Sequence, residues 1–301
     1  MTRDERKVFE MSKIGIATDS HSGITPVMAV DMGIRVLPMP FYVEGECYYE
    51  EVSITREEFF EVLKTDKKVS TSQPSPEEVM EFWREGLKEY DEILYIPMSS
   101  GLSGSCGTAM MLAQDEEFEG KVFVVDNGRI STPLVRSIMD AQEMVEEGFS
   151  ALQIKEVLES EKDKMAIYIA VETLEFLQKG GRISAATAAV GTVLNIKPIL
   201  KLGTGLLETY KKSRGMKKAK KEMLDAIRDD LNVTFKEYHE KGEAYLLVAT
   251  SADEVTTNAW IEEVKEAFPN MNVLASNLSL GICCHTGAGA LGVGISCRPH
   301  R

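Results

Sequence analysis

Short apolar runs alternate with amphipathic stretches through the first half of the chain. Lys13 to Ser20, Ile34 to Phe41, Ile93 to Met98 and Lys121 to Val125 are runs of the length and composition of buried strands, closed by Gly, Pro, Asp or Ser. Between and after them the apolar positions recur at helical spacing over Arg56–Lys64, Pro76–Tyr90, Gly104–Gln114 and Thr132–Glu147. Strands alternating with helices predict a parallel sheet with helices on its faces. Past residue 160 the pattern changes. Ile167–Val171, Tyr245–Thr250, Val273–Leu278 and Val293–Cys297 read as strands. Lys197–Leu202 and Leu206–Tyr210 flank Gly203-Thr204-Gly205 as the two arms of a hairpin. A basic, then amphipathic helix is expected over Lys217–Tyr238. The whole reads as an α/β chain of two domains, a Rossmann-like parallel-sheet domain over 13–160 and an α+β domain with a partly antiparallel sheet over 161–301. A ligand is expected between them.

Length supports that division, since 301 residues exceed what one core usually organises. No run approaches the roughly 18 apolar residues of a membrane span. The opening Met1–Ser12 is charged and lacks the apolar core of a secretion signal, so a short flexible extension and a cytoplasmic location are expected. The net charge of −14 disfavours nucleic acid and anionic membrane surfaces as partners. Five cysteines without Cys-x-x-Cys spacing, two of them the adjacent Cys283 and Cys284, fit reduced thiols. With only four histidines, no metal site is expected. No nucleotide loop of either glycine-rich type is present, and no cofactor is implied.

In open parallel sheets, ligands sit beyond the carboxyl ends of the strands. Four segments hold that position. They are Thr18-Asp19-Ser20-His21-Ser22, Ser70 to Pro76, Ser99 to Ser105, and Asp126-Asn127. Ser75 followed by Pro76 reads as a helix N-cap and first turn. Hydroxyl-rich turns at helix N-termini suit an anion, and they are equally the ordinary way to cap a helix. In the second half, Gly180-Gly181-Arg182 ends a helix with an arginine whose neighbours permit close backbone approach. It is read either as an anion contact or as a helix C-cap with a solvated charge. His285 and Thr286 lie in a loop of small residues, Cys283 to Ala290. Gly101-Leu102-Ser103-Gly104 is not a nucleophile elbow, since only two residues separate its glycines. A small-ester serine hydrolase using Ser103 with His285, and Asp19 as third member, stays open as the alternative reading. A basic island, Lys211 to Lys221, is either a docking surface for an acidic partner or a solvated face.

Six stretches, taken in order, resemble the DegV family of bacterial fatty-acid-binding proteins. They are Thr18-Asp19-Ser20, Thr71 to Pro76, Ser99 to Gly104, Leu174 to Ser184, Leu194 to Leu200, and His285-Thr286-Gly287-Ala288-Gly289-Ala290. The resemblance covers about residues 13 to 295. It implies a non-catalytic lipid-binding protein that holds a long-chain fatty acid between two domains and presents it to a separate fatty acid kinase. Thr71, Ser103, Arg182 and His285 correspond to the headgroup contacts of the family, and Ser72, Ser100, Asp19 and Thr286 are further candidates beside them. Departures are Ala288 for a usual proline, Cys283-Cys284 for a usual Gly-Thr, and Ser105-Cys106-Gly107 for a usual Thr-Tyr-Gln. Met28, Met32, Met39, Met110 and Met111 are expected in the core or along an adaptable apolar tunnel.

Overall fold

The computed structural model describes residues 12–183, 195–202 and 207–301. The expected turn at Gly203-Thr204-Gly205, the expected extension up to Met11, and Ser184 and Leu194 of the motifs above lie outside these residues.

The first half builds the expected parallel sheet, in the order β2-β1-β6-β7. The strands are β1 (Ile14–Asp19), β2 (Arg35–Leu37), β6 (Glu92–Ile96) and β7 (Val122–Val124). The run Ile34–Phe41 is not one strand. Pro38 and Pro40 remove two backbone donors, so pairing stops after Leu37. The chain then enters a small antiparallel sheet in the order β4-β3-β5, formed by β3 (Phe41–Val43), β4 (Glu46–Tyr48) and β5 (Val69–Thr71). That sheet was not expected from the sequence, and it carries Thr71 at its end. Helices begin where capping chemistry places them. Thr55 and Ser75 each accept from the amide three residues on, while Glu58 and Glu78 reach back to the capping amides.

The second half forms a mixed sheet in the order β10-β9-β8-β13-β11-β12. Its strands are β8 (Met165–Ala170), β9 (Ile196–Leu202), β10 (Leu207–Arg214), β11 (Ala244–Thr250), β12 (Val273–Asn277) and β13 (Leu291–Cys297). All of its pairs are antiparallel except β11 with β12. The expected helix over Lys217–Tyr238 breaks at Val233–Phe235 into Met216–Asn232 and Lys236–Glu240. Ala219, Met223, Ala226, Ile227 and Leu231 make one buried stripe of the first piece. That stripe packs with Leu291, Val293, Ile295 and Cys297 of β13 and with Leu246 and Val248 of β11.

The opposite face of β13 is different. Gly292 lies between Ile169 and Ala249, and Gly294 between Ile167 and Leu247. Side chains alternate across a strand, so this face carries two glycines where the other carries leucine, valine and isoleucine. The result is a trough in the sheet surface that faces the parallel sheet and the small sheet. The helix Thr132–Glu146 bridges the halves, packing on β1 as well as on β11 and β13. Among the described residues, no helix is long and apolar enough to cross a membrane.

Candidate functional site

The trough is the floor of a cavity of about 280 Å³, near the lower edge of the range for small-molecule pockets. Its walls are Ile167 and Ile169 of β8, Leu247 and Ala249 of β11, Leu202 and Leu207, with Met98, Leu177, Leu278 and Ile282 closing it from the other elements. One end is polar. There Thr71 arrives from the end of β5, with Ser72 as the residue after it, and Ser103 from the loop after β6. Arg182 arrives from the turn after the helix Glu175–Gly180, and His285 and Thr286 from the end of the helix Leu280–Thr286.

Thr71 Oγ1 and His285 Nε2 are 2.8 Å apart. His285 Nδ1 is buried without a hydrogen-bond partner and packs against Gly180, where a Cβ would come within 2.0 Å of it. Burial, the nearby Arg182 guanidinium and His21 together lower the His285 pKa to about 4, so the ring is neutral at pH 7. Arg182 donates through Nε to Leu102 O at 3.2 Å and through Nη1 to Gly180 O at 2.5 Å. Its pKa is lowered by desolvation, yet a guanidinium keeps its charge in proteins. Ser103 Oγ accepts from the Ser105 amide at 3.2 Å. The double glycine serves two purposes. Gly181, at φ +69°, ends the helix with a left-handed cap, whereas Gly180 makes room for the imidazole.

Six of the eight candidate residues therefore meet at one end of one cavity: Thr71, Ser72, Ser103, Arg182, His285 and Thr286. The other two lie apart from the cavity wall. Asp19 is buried, and its two oxygens accept from the amides of His21 and Met98 at 2.9 and 2.8 Å, fastening the loops after β1 and β6. Ser100 donates through Oγ to Asp126 Oδ2 at 2.6 Å on the surface. This geometry does not assemble the hydrolase. His285 faces Thr71 rather than Ser103, and the carboxylate of Asp19 is engaged elsewhere.

Of the methionines, Met39 lines the cavity. Met28 and Met32 pack against the core of the parallel-sheet half, and Met110 and Met111 are exposed. Cys283 and Cys284 do not line the cavity and are buried in a core shared with Phe41 and Phe59. Burial pushes the Cys283 thiol up to about 12 and that of Cys284 higher still, which suits packing rather than reactivity. Sequence reasoning did not single out the floor, Gly292 and Gly294 with Ile167, Ile169, Leu247 and Ala249. The signal was the Gly-x-Gly in an apolar strand, which marks a close approach or missing bulk.

A model described as an uncharacterised protein of the DegV family matches residues 13–298. The chain belongs to the DegV family. Among its DegV relatives, a DegV domain-containing protein of Staphylococcus aureus is 32% identical over 287 residues, 94% of this chain and 98% of that one. Another, from Deinococcus radiodurans, is 36% identical over 216 residues, 71% of this chain and 76% of its own length. Among solved structures, the fold is similar to a fatty acid-binding DegV family protein from Thermus thermophilus. The TM-score is 0.83 at 34% identity, covering 95% of this chain and 99% of that one. It is also similar to DegV of Bacillus subtilis, a fatty acid-binding protein, with a TM-score of 0.82 at 28% identity, covering 95% and 99%.

Proposed function

We propose that the chain binds a long-chain fatty acid and is a carrier rather than a catalyst. The observation that carries this reading is the asymmetry of the cavity, mostly aliphatic along its length and with Thr71, Ser103, Arg182 and His285 gathered at one end. A carboxylate in an apolar cleft must be matched by donors or be expelled. With the His285 proton on Nε2, the ring donates to Thr71 Oγ1, and the Thr71 hydroxyl proton is free to donate to a carboxylate oxygen. Ser103 adds a second hydroxyl donor, and Arg182 supplies charge. The tail contributes affinity along the aliphatic walls at about 0.8 kcal/mol for each buried methylene. The fatty acid-binding proteins of Thermus thermophilus and Bacillus subtilis support the ligand class.

The polar end is also the end nearer solvent, since Ser72, Gln73 and Gly104 are exposed. That placement supports a further part of the proposal: the protein works in the cytoplasm and offers the carboxylate to a separate fatty acid kinase. The domain division at 160/161 belongs to the same reading, with Thr71 and Ser103 contributed by one half and Arg182 and His285 by the other. The basic island is the candidate docking surface. Several of its lysines are paired within the fold, Lys211 and Lys218 with Glu222 and Lys221 with Asp225.

Mass spectrometry of the organic extract from natively purified protein tests the ligand, with the Thr71→Ala/Ser103→Ala double variant as control. One long-chain fatty acid at near-equal stoichiometry, depleted in the variant, is the expected result. A folded protein that yields no lipid and takes up none would remove the proposal.

A further inference from the structure

His21 is a second polar feature of the same cavity, away from the headgroup end. It follows β1, is buried, and lines the wall with Met39, Met98 and Leu278. Its Nε2 lies over Gly281, where a Cβ would come within 2.6 Å. Gly281 is four residues before His285, so the two lie on one helix face about 6 Å apart along the axis.

The imidazole is fixed by its backbone. The His21 amide donates to Asp19 Oδ1 at 2.9 Å, and the His21 carbonyl accepts from the Ser131 amide at 2.9 Å. Nδ1 stands 3.7 Å from Asp19 Oδ1, beyond hydrogen-bond length, and is buried without a partner. A carboxylate on that side favours the proton on Nδ1, which leaves Nε2 as an acceptor. No hydrogen bond to Nε2 is present among the described residues.

Ser131 adds a hydroxyl at the same wall. It holds the N-cap position of the helix Thr132–Glu146, yet its side chain makes no capping bond. Its backbone is at φ +56°, and its Oγ is buried without a partner. An N-cap serine ordinarily spends its hydroxyl on the helix. His21 and Ser131 are joined through the backbone and both line the cavity, so an acyl chain that fills it covers the imidazole beside a hydroxyl that already lacks a partner, a cost because buried polar groups normally have one.

We infer that the acyl chain this protein selects bears a hydroxyl, which donates to His21 Nε2 and accepts from Ser131 Oγ, so that the preferred ligand class is a hydroxy fatty acid. The inference rests on the fatty-acid reading of the same cavity. The offset of about 6 Å from His285 corresponds to about five carbon–carbon bonds of an extended chain, which puts the hydroxyl at roughly carbons 4 to 8.

The test is displacement of a fluorescent fatty acid from delipidated protein by stearic acid and by a positional series of monohydroxystearic acids. A hydroxyl within that window is expected to tighten binding about fivefold over stearic acid. His21→Phe and, separately, Ser131→Ala should bring the hydroxystearic-to-stearic affinity ratio close to one, with a thermal melt confirming that each variant is folded. If stearic acid competes as well as every isomer, or the preference survives both substitutions, the inference is wrong and the fatty-acid reading stands. If no acid displaces the probe from the unsubstituted protein, both fall.

Discussion

Thr71 Oγ1 and His285 Nε2 meet at 2.8 Å across 214 residues of sequence. The contact joins the last residue of β5 to the final turn of the helix Leu280–Thr286, so a strand of the small sheet and an element of the second half share one polar end. A second tether runs parallel to it. Glu50 accepts from the Leu280 amide at 2.9 Å, and Arg56 donates to Leu278 O at 2.7 Å. The geometry of the polar end thus depends on the small sheet staying docked.

Thr71→Val keeps the shape of the side chain and removes its hydroxyl. Fatty-acid affinity is expected to fall about tenfold, the loss of one hydrogen bond to a charged group, with a lower melting temperature because His285 Nε2 loses its partner. Competition binding reads the first and a thermal melt the second. Unchanged affinity would move the carboxylate away from Thr71.

Gly180→Ala places a methyl 2.0 Å from His285 Nδ1, so the ring must swing out or the turn must shift. The expected outcome is a loss of fatty-acid affinity as large as that of His285→Ala, although residue 180 itself offers no side chain to the ligand. Binding equal to that of the unsubstituted protein would show that the ring relaxes without consequence.

Stability should carry the signature of a histidine held neutral. The unfolded chain takes up its proton near pH 6.5, and the folded one near pH 4. Between these values unfolding is accompanied by proton uptake. The contribution is therefore complete above pH 6.5 and is lost as pH falls toward 4, by at most about 3 kcal/mol. Urea unfolding of the lipid-free protein at pH 7 and pH 5 should show the decline, and His285→Asn should flatten it. A slope unaltered by that substitution would assign the decline to other groups.

The two trough glycines should differ in their tolerance of a methyl. At Gly294 a Cβ would stand 2.6 Å from Ala166 O, a backbone atom that cannot swing aside. At Gly292 the nearest atom is Ala249 O at 3.0 Å. Gly294→Ala is expected to lower stability by about 1–3 kcal/mol and Gly292→Ala by less, with both reducing the capacity for lipid. Denaturant titration orders the two, and an inverted order would contradict the packing.

The parallel sheet was legible because its signals are local: apolar runs closed by Thr18-Asp19-Ser20 or Ser99-Ser100-Gly101, and a helix announced by Ser75-Pro76. The small sheet was not, because its first strand is hidden in the apolar run that Pro38 and Pro40 divide, and β4 and β5 carry no apolar run of their own. The residues of the polar end were legible as chemistry, hydroxyls and an arginine beside glycines. Asp19 and Ser100 have the same local look, and only the three-dimensional arrangement shows that one fastens two loops and the other bonds Asp126 on the surface. On β8 and β11 the walls had no legible signal beyond strand periodicity, because which face meets a void is decided by the Gly292-Val293-Gly294 spacing of β13.

The missing bulk at Gly292 and Gly294 has a thermodynamic consequence. Each face of a central strand normally brings its own filling, and here one face brings none. On the fatty-acid reading, the alkyl tail acts as a removable piece of hydrophobic interior, so loading and folding are linked equilibria. The loaded form gains RT ln(1 + [L]/Kd), about 2.7 kcal/mol at a hundredfold excess over Kd. Lipid supply would then govern how long the chain survives proteases as well as what it carries.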